Sequence, residues 1–174
     1  MIRPFNIVQY RKLLVEQYNV HPADFDEEQA AWRAKTAWSS EDEKSFLWAF
    51  AEREIAKVLA AQKEPERKYQ LLRSLYLLLW IFLLVEKKVG TGMIELANYF
   101  ELKKAALMPY RTNVMIIGGE RCPAAEAVNG MVVPIEEALV QQPIPYGQCS
   151  RPLGCICNYG FHGERDLEGK LIMK

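Results

Sequence analysis

Between residues 23 and 89 the chain carries a single helix breaker, Pro65, whereas five prolines and eight glycines are spread over residues 110–174. Proline removes a backbone donor and clashes with the preceding turn, and glycine loses more backbone entropy than any other residue on entering a helix. The first stretch can therefore sustain long helices and the second cannot. This predicts a mainly α protein: a helical body over 1–108, then a small irregular α+β, cysteine-rich module with short strands over 109–174.

Within the body, Ile7, Tyr10, Leu14 and Tyr18 recur at helical spacing and predict a first helix that stops before His21-Pro22. A shorter helix is expected over Glu27 to Trp38. Ser40 and Glu43 read as a capping box opening a long helix, with Glu41 and Asp42 near its positive end. Phe46, Leu47, Phe50, Ile55, Val58 and Leu59 give that helix a broad apolar face. Pro65 can be the first residue of the next helix, expected to reach Lys88 and to be central because Leu75 to Val85 is apolar almost all round. Gly90-Thr91-Gly92 interrupts, and Met93 to Met108 predicts a last long helix, with Ile94, Leu96, Phe100, Leu102 and Leu107 as its apolar surface. Beyond Pro109, Val114 to Ile117 reads as a strand entering a Gly118-Gly119 turn, and Asn129-Gly130 as a hairpin turn into Met131-Val132-Val133.

Lys plus Arg and Asp plus Glu both total 22, so bulk charge favours neither nucleic acid nor an anionic membrane. The apolar run Leu75 to Val85 spans 11 residues, against the roughly 20 needed to cross a bilayer. Met1-Ile2-Arg3-Pro4-Phe5 begins no export signal. These features lead to the expectation of a cytoplasmic protein without a membrane partner.

In a reducing compartment the four cysteines are metal ligands or free thiols before they are disulfides. All lie in the last third, at Cys122, Cys149, Cys155 and Cys157, with 26, five and one intervening residues. Zinc takes four thiolates tetrahedrally, and a distant first ligand plus a compact turn can tie together a segment too small to fold alone. Cys155 and Cys157 are expected to project differently if extended, so both need not hold one ion. His162 could replace one cysteine. A catalytic thiol has no evident base, since the only histidines are His21 and His162.

The stretch from Val114 to Tyr159 resembles the cysteine-containing C-terminal segment of Mu-type phage minor head, or head-morphogenesis, proteins. The resemblance runs through Val114-Met115-Ile116-Ile117-Gly118-Gly119-Glu120-Arg121-Cys122-Pro123, then Asn129-Gly130, Pro134-Ile135-Glu136-Glu137-Ala138, Pro143-Ile144-Pro145 and Gly154-Cys155-Ile156-Cys157. That family commonly has C-P-x-C at the first knuckle, where this chain has Ala125. The resemblance implies ligand roles for Cys122, Cys149, Cys155 and Cys157 and a metal-stabilised module for assembly or interaction.

No phosphate-binding, dinucleotide, zinc-protease or serine-hydrolase motif is present. Trp32, Trp38, Trp48 and Trp80 with Phe46, Phe50 and Tyr76 read as core before they read as a ligand pocket. Glu52, Glu54 and the Glu41-Asp42-Glu43 run read as helix surface and helix start. The expected function is a non-enzymatic interaction or assembly protein with a structural zinc and a protein partner. A thiol-dependent redox enzyme using Cys155 and Cys157 is the alternative, and a nucleic-acid-binding zinc module, with Arg111, Arg121, Arg151 and Arg165 as its cations, is the third reading. Oligomeric state is left open.

Overall fold

The computed structural model describes residues 7–18, 20–118, 122–144 and 146–174, without the side chains of residues 17 and 18. The readings placed on Met1 to Phe5, Gly119, Glu120, Arg121, Pro145 and the Tyr18 side chain lie outside the described residues. The protein is mainly α with a small antiparallel sheet near its C-terminus, and it divides into two compact units, Met1–Gln62 and Lys63–Lys174. The change in composition near residue 110 lies inside the second unit.

The first unit holds α1 (Ile7–Tyr18), α2 (Pro22–Arg33) and α3 (Ser40–Ala61), each packed on the other two. Helix α1 follows the apolar spacing, with Ile7, Tyr10 and Leu14 buried. Helix α2 starts earlier than expected. His21 serves as its N-cap, its Nδ1 accepting from the Ala23 amide at 3.3 Å, and Pro22 takes the first helical position, where a missing N–H costs nothing. The capping box of α3 is also displaced by one residue. Ser39 Oγ accepts from the Asp42 amide at 3.2 Å while Asp42 Oδ2 accepts from the Ser39 amide at 2.8 Å. Phe25 meets Phe46 and Phe50 edge-on, with ring centroids 5.3 and 5.0 Å apart, at the centre of this unit. Val58 is only half-buried and Leu59 is exposed, so the apolar face of α3 is narrower than its sequence suggested. A bidentate ion pair, Arg11 to Asp26 at 2.7 and 2.6 Å, ties α1 to α2, and Arg53 pairs with Glu28 between α3 and α2.

In the second unit, α4 (Pro65–Val85) and α5 (Thr91–Ala105) form an antiparallel pair. Arg73, early in α4, meets Glu101, late in α5, at 2.8 Å, and Tyr76 stacks on Phe100 with centroids 5.8 Å apart. Gly90 sits at the turn because a Cβ there would come within 2.7 Å of Trp80 Cδ1. Leu72, Leu75, Leu78, Leu79 and Phe82 make the buried face of α4, while Ile81 is 40% exposed. The expectation of a helix enclosed on all sides is therefore corrected to one buried face. At 21 residues, with an 18-residue window of mean hydropathy 1.4 that is 28% buried, α4 is the one helix among the described residues long and apolar enough to cross a membrane.

Strand β1 (Thr112–Ile117) lies between β2 (Val132–Pro134) and β3 (Asn158–Gly163), antiparallel to both. Thr112, Val114 and Ile116 are buried and Met115 and Ile117 exposed, the two-residue period of a half-covered sheet. The expected Asn-Gly hairpin is partly different: α6 (Pro123–Val128) intervenes between β1 and β2. Gly130 follows at φ +80°, the region glycine tolerates, and its amide donates to Ile116 O at 2.8 Å to start the pairing. Helix α7 (Ile135–Gln141) and one 3-10 turn at Tyr146–Gln148 complete the unit. Its core joins Ile94, Ala97 and Leu102 of α5 to Val114 and Ile116, to Ile135 and Ala138 of α7, and to three of the cysteines.

Candidate functional site

Each cysteine is positioned by an ordinary local device. Cys122 holds the N-cap position of α6, ahead of Pro123 as the first helical residue, and is fully buried. Cys149 follows the 3-10 turn, its amide donating to Tyr146 O at 3.4 Å, and is only partly buried. Cys155 and Cys157 lead into β3. They follow Gly154, whose φ of +90° and close approach to Thr91 Oγ1, 2.6 Å from where a Cβ would stand, leave no place for a side chain.

The described structure places these four residues in one neighbourhood. All four belong to or pack against one core cluster, and Cys122 with Cys149, and Cys155 with Cys157 and Cys149, lie near enough to influence one another's titration. Residues two apart on an extended chain share a face. Cys155 and Cys157 are accordingly both buried while Ile156 between them is half-exposed, which corrects the expectation that they diverge. The Cys157 amide also donates to Cys155 Sγ at 3.4 Å.

Their electrostatic settings differ. Backbone amides of Ser150 and Ala125, with smaller contributions from Cys149 and the Ser150 hydroxyl, lower the Cys122 thiol to about 7. Burial pushes Cys155 up to about 12. A thiol shifted that far is a poor nucleophile near neutrality.

A buried amide holds the cluster to the helices. Asn98 of α5 donates from Nδ2 to the Tyr146 hydroxyl at 2.8 Å and to the Cys157 carbonyl at 3.0 Å. Burial raises the Tyr146 hydroxyl well above its ordinary value and Tyr159 to about 12, so both phenols stay protonated. Sequence reasoning passed over Asn98, Tyr146 and Ser150. The one available signal was a lone amide on the α5 face that also carries Ile94, Ala97 and Leu102.

The donor set suits a soft or borderline metal in kind, since four thiols match tetrahedral zinc. Among the described residues no group of three or more His, Cys, Asp or Glu side chains stands ready to hold a metal ion. His162 does not join the thiols. It lies five residues beyond Cys157 along extended chain, roughly 16 Å at strand rise, and it lines a small cleft with Lys104 and Tyr110. His21 belongs to the first unit, where it caps α2.

The other candidates resolve into structure. Trp32, Trp38, Phe46 and Phe50 pack on one another in the first unit, and Trp80 and Tyr76 belong to the second. Glu43 accepts from Trp38 Nε1 at 3.1 Å, Glu41 pairs with Lys44 and Glu54 with Lys57. Of the arginines, Arg165 donates to the Gly169 carbonyl at 2.6 Å, closing the last loop of the chain. No protein-family model, no curated protein and no solved structure matches this chain.

Proposed function

We propose that the protein is a non-enzymatic interaction or assembly protein whose second unit is closed by a structural zinc on Cys122, Cys149, Cys155 and Cys157. The observation that carries this reading is that four cysteines drawn from three separate segments, one of them 26 residues from the next in sequence, gather on one core cluster of the second unit. Four neighbouring thiols in an apolar core have little to offer packing that alanine or valine would not offer better, whereas a metal uses all four. With zinc bound, these residues would exchange thiol protons for metal–sulfur bonds and so lock the start of α6 to the lead-in of β3.

In this reading the module supplies shape to a protein partner inside the cell, in line with the resemblance to phage head-morphogenesis proteins. Against a redox centre at Cys155 and Cys157 stand the burial of both and the raised Cys155. The test is elemental mass spectrometry of the tag-free protein with a thiol count before and after chelation. About one zinc per chain with thiols released by chelator supports the reading. A metal-free protein with four freely reactive thiols overturns it.

A further inference from the structure

Apart from the thiol cluster, the second unit carries a cleft of about 180 Å³ where the end of α5 meets the sheet. Its walls divide by chemistry. Ala105, Met108 and Phe161 form an apolar side, while Lys104, Thr112 and His162 bring polar groups to the same space. A cavity of roughly 150 Å³ is enough to hold benzene, and drug-sized ligands take about 300 Å³ or more. The space therefore suits one ring or a short branched chain and is too small to enclose a nucleotide.

The sign of the ligand follows from the charges around the cleft. Glu101, which also lines it, is taken by Arg73 of α4 at 2.8 Å. Among the described residues the Lys104 ammonium has no ion-pair or hydrogen-bond partner. An anion is disfavoured at the negative end of a helix, but the last carbonyls of α5 are already engaged. Leu102 O accepts from the Ala106 amide at 2.9 Å, Lys104 O from the Leu107 amide at 3.1 Å and Ala105 O from the Met108 amide at 3.1 Å, and the Ala106 carbonyl just beyond accepts from Lys174 Nζ at 2.7 Å. Thr112 adds a donor. It is 3% exposed, and its hydroxyl's one hydrogen bond among the described residues, to Tyr110 O, is 3.3 Å long, beyond the range of about 2.5–3.0 Å for a good O–H···O bond. A buried hydroxyl held so weakly can turn to a stronger acceptor.

We propose that this cleft binds a small monocarboxylate with a compact apolar body. The carboxylate lies among the Lys104 ammonium, the Thr112 hydroxyl and the His162 imidazole, and the apolar body lies against Ala105, Met108 and Phe161. One unpaired ammonium balances one negative charge, whereas a dianion such as phosphate leaves charge uncompensated in a half-apolar space. Binding is non-covalent and uses no thiol, so it is independent of the zinc reading.

The experiment titrates benzoate into the isotope-labelled full-length protein and follows the backbone amides by NMR, with benzamide as the neutral counterpart and inorganic phosphate as a second anion. The expected result is saturable shifts centred on Ala105, Met108, Thr112 and Phe161, with a dissociation constant on the order of 1 mM or below for so small a ligand. Benzamide and phosphate are expected to bind roughly tenfold more weakly, since neither makes the same charge-assisted bonds. Lys104→Met, at a partly exposed helix position, is expected to weaken benzoate roughly tenfold and leave benzamide unchanged. Thr112→Val, which removes only the hydroxyl, gives a second reading with a loss of about fivefold. No saturable shift around the cleft at a benzoate concentration about tenfold above the expected constant overturns the proposal. Equal affinity for benzoate and benzamide, unaltered by Lys104→Met, also overturns it, because the cleft then selects shape and not charge. Phosphate bound as tightly as benzoate overturns it as well.

Discussion

Ser39 and Ser40 both satisfy the same local rule, because Asp42 and Glu43 stand three residues after them. The structure chooses Ser39, whose hydroxyl and amide both reach Asp42 Oδ2, at 2.7 and 2.8 Å. Those bonds hold the Asp42 carboxyl below its ordinary value of 3.8. The depressed group contributes stability above the unfolded carboxylate range and loses it as pH falls through the lowered value. Ser39→Ala is expected to cost about 1 kcal/mol in denaturant unfolding at neutral pH, and carbon NMR titration should show Asp42 returning toward its ordinary value. At Gly154 the requirement is positional. Its positive φ and its approach to Thr91 make Gly154→Ala about 1–3 kcal/mol less stable by the same assay, whereas alanine at Gly92, where a Cβ meets nothing within 4 Å, is expected to be tolerated.

At the scale of elements, amphipathic periodicity located α1, the body of α3, α4 and most of α5, since side chains at i, i+3 and i+4 share a face whatever the rest of the chain does. It misplaced α2, because His21-Pro22 ends one helix and also supplies the cap and first residue of the next. Strand β3 went unseen: Asn158 to Gly163 contains two glycines and reads as a turn. In the sheet Gly160 leaves room beneath Met115 and Ile117, with contacts of 3.6 and 3.3 Å to where its Cβ would stand. Gly163 likewise yields to Leu171 and Tyr110. The three-helix element depends on its aromatic centre, so Phe50→Ala, at a position with 0% exposure, is expected to destabilise the first unit by about 3–5 kcal/mol. Tryptophan fluorescence from Trp32, Trp38 and Trp48, with Trp80 replaced by phenylalanine, would report it.

At the scale of the whole molecule, one buried amide on α5 holds both Tyr146 and the Cys157 backbone just ahead of β3. Asn98→Leu leaves the Tyr146 hydroxyl and the Cys157 carbonyl without that donor, and a loss of about 1–3 kcal/mol is expected. Hydrogen exchange should then rise across residues 91–163 and stay unchanged across α1 to α3. An equal rise in both units would show that Asn98 acts through general instability and not through the thiol segment. The candidate site was only half legible. Four cysteines confined to the last third marked the region, and their chemistry named a metal or a redox pair. What the sequence determined by itself was every property set by neighbours along the chain: where helices can persist, that Val114 to Ile117 alternates, and which residues could act as ligands. The tertiary structure alone decided that Cys122 and Cys149, with 26 residues between them, come to one core cluster, that Cys155 and Cys157 are both buried, and that His162 lines a cleft elsewhere. Such encounters depend on sheet register and on helix packing over the sheet, which arise from many weak contacts summed over distant segments.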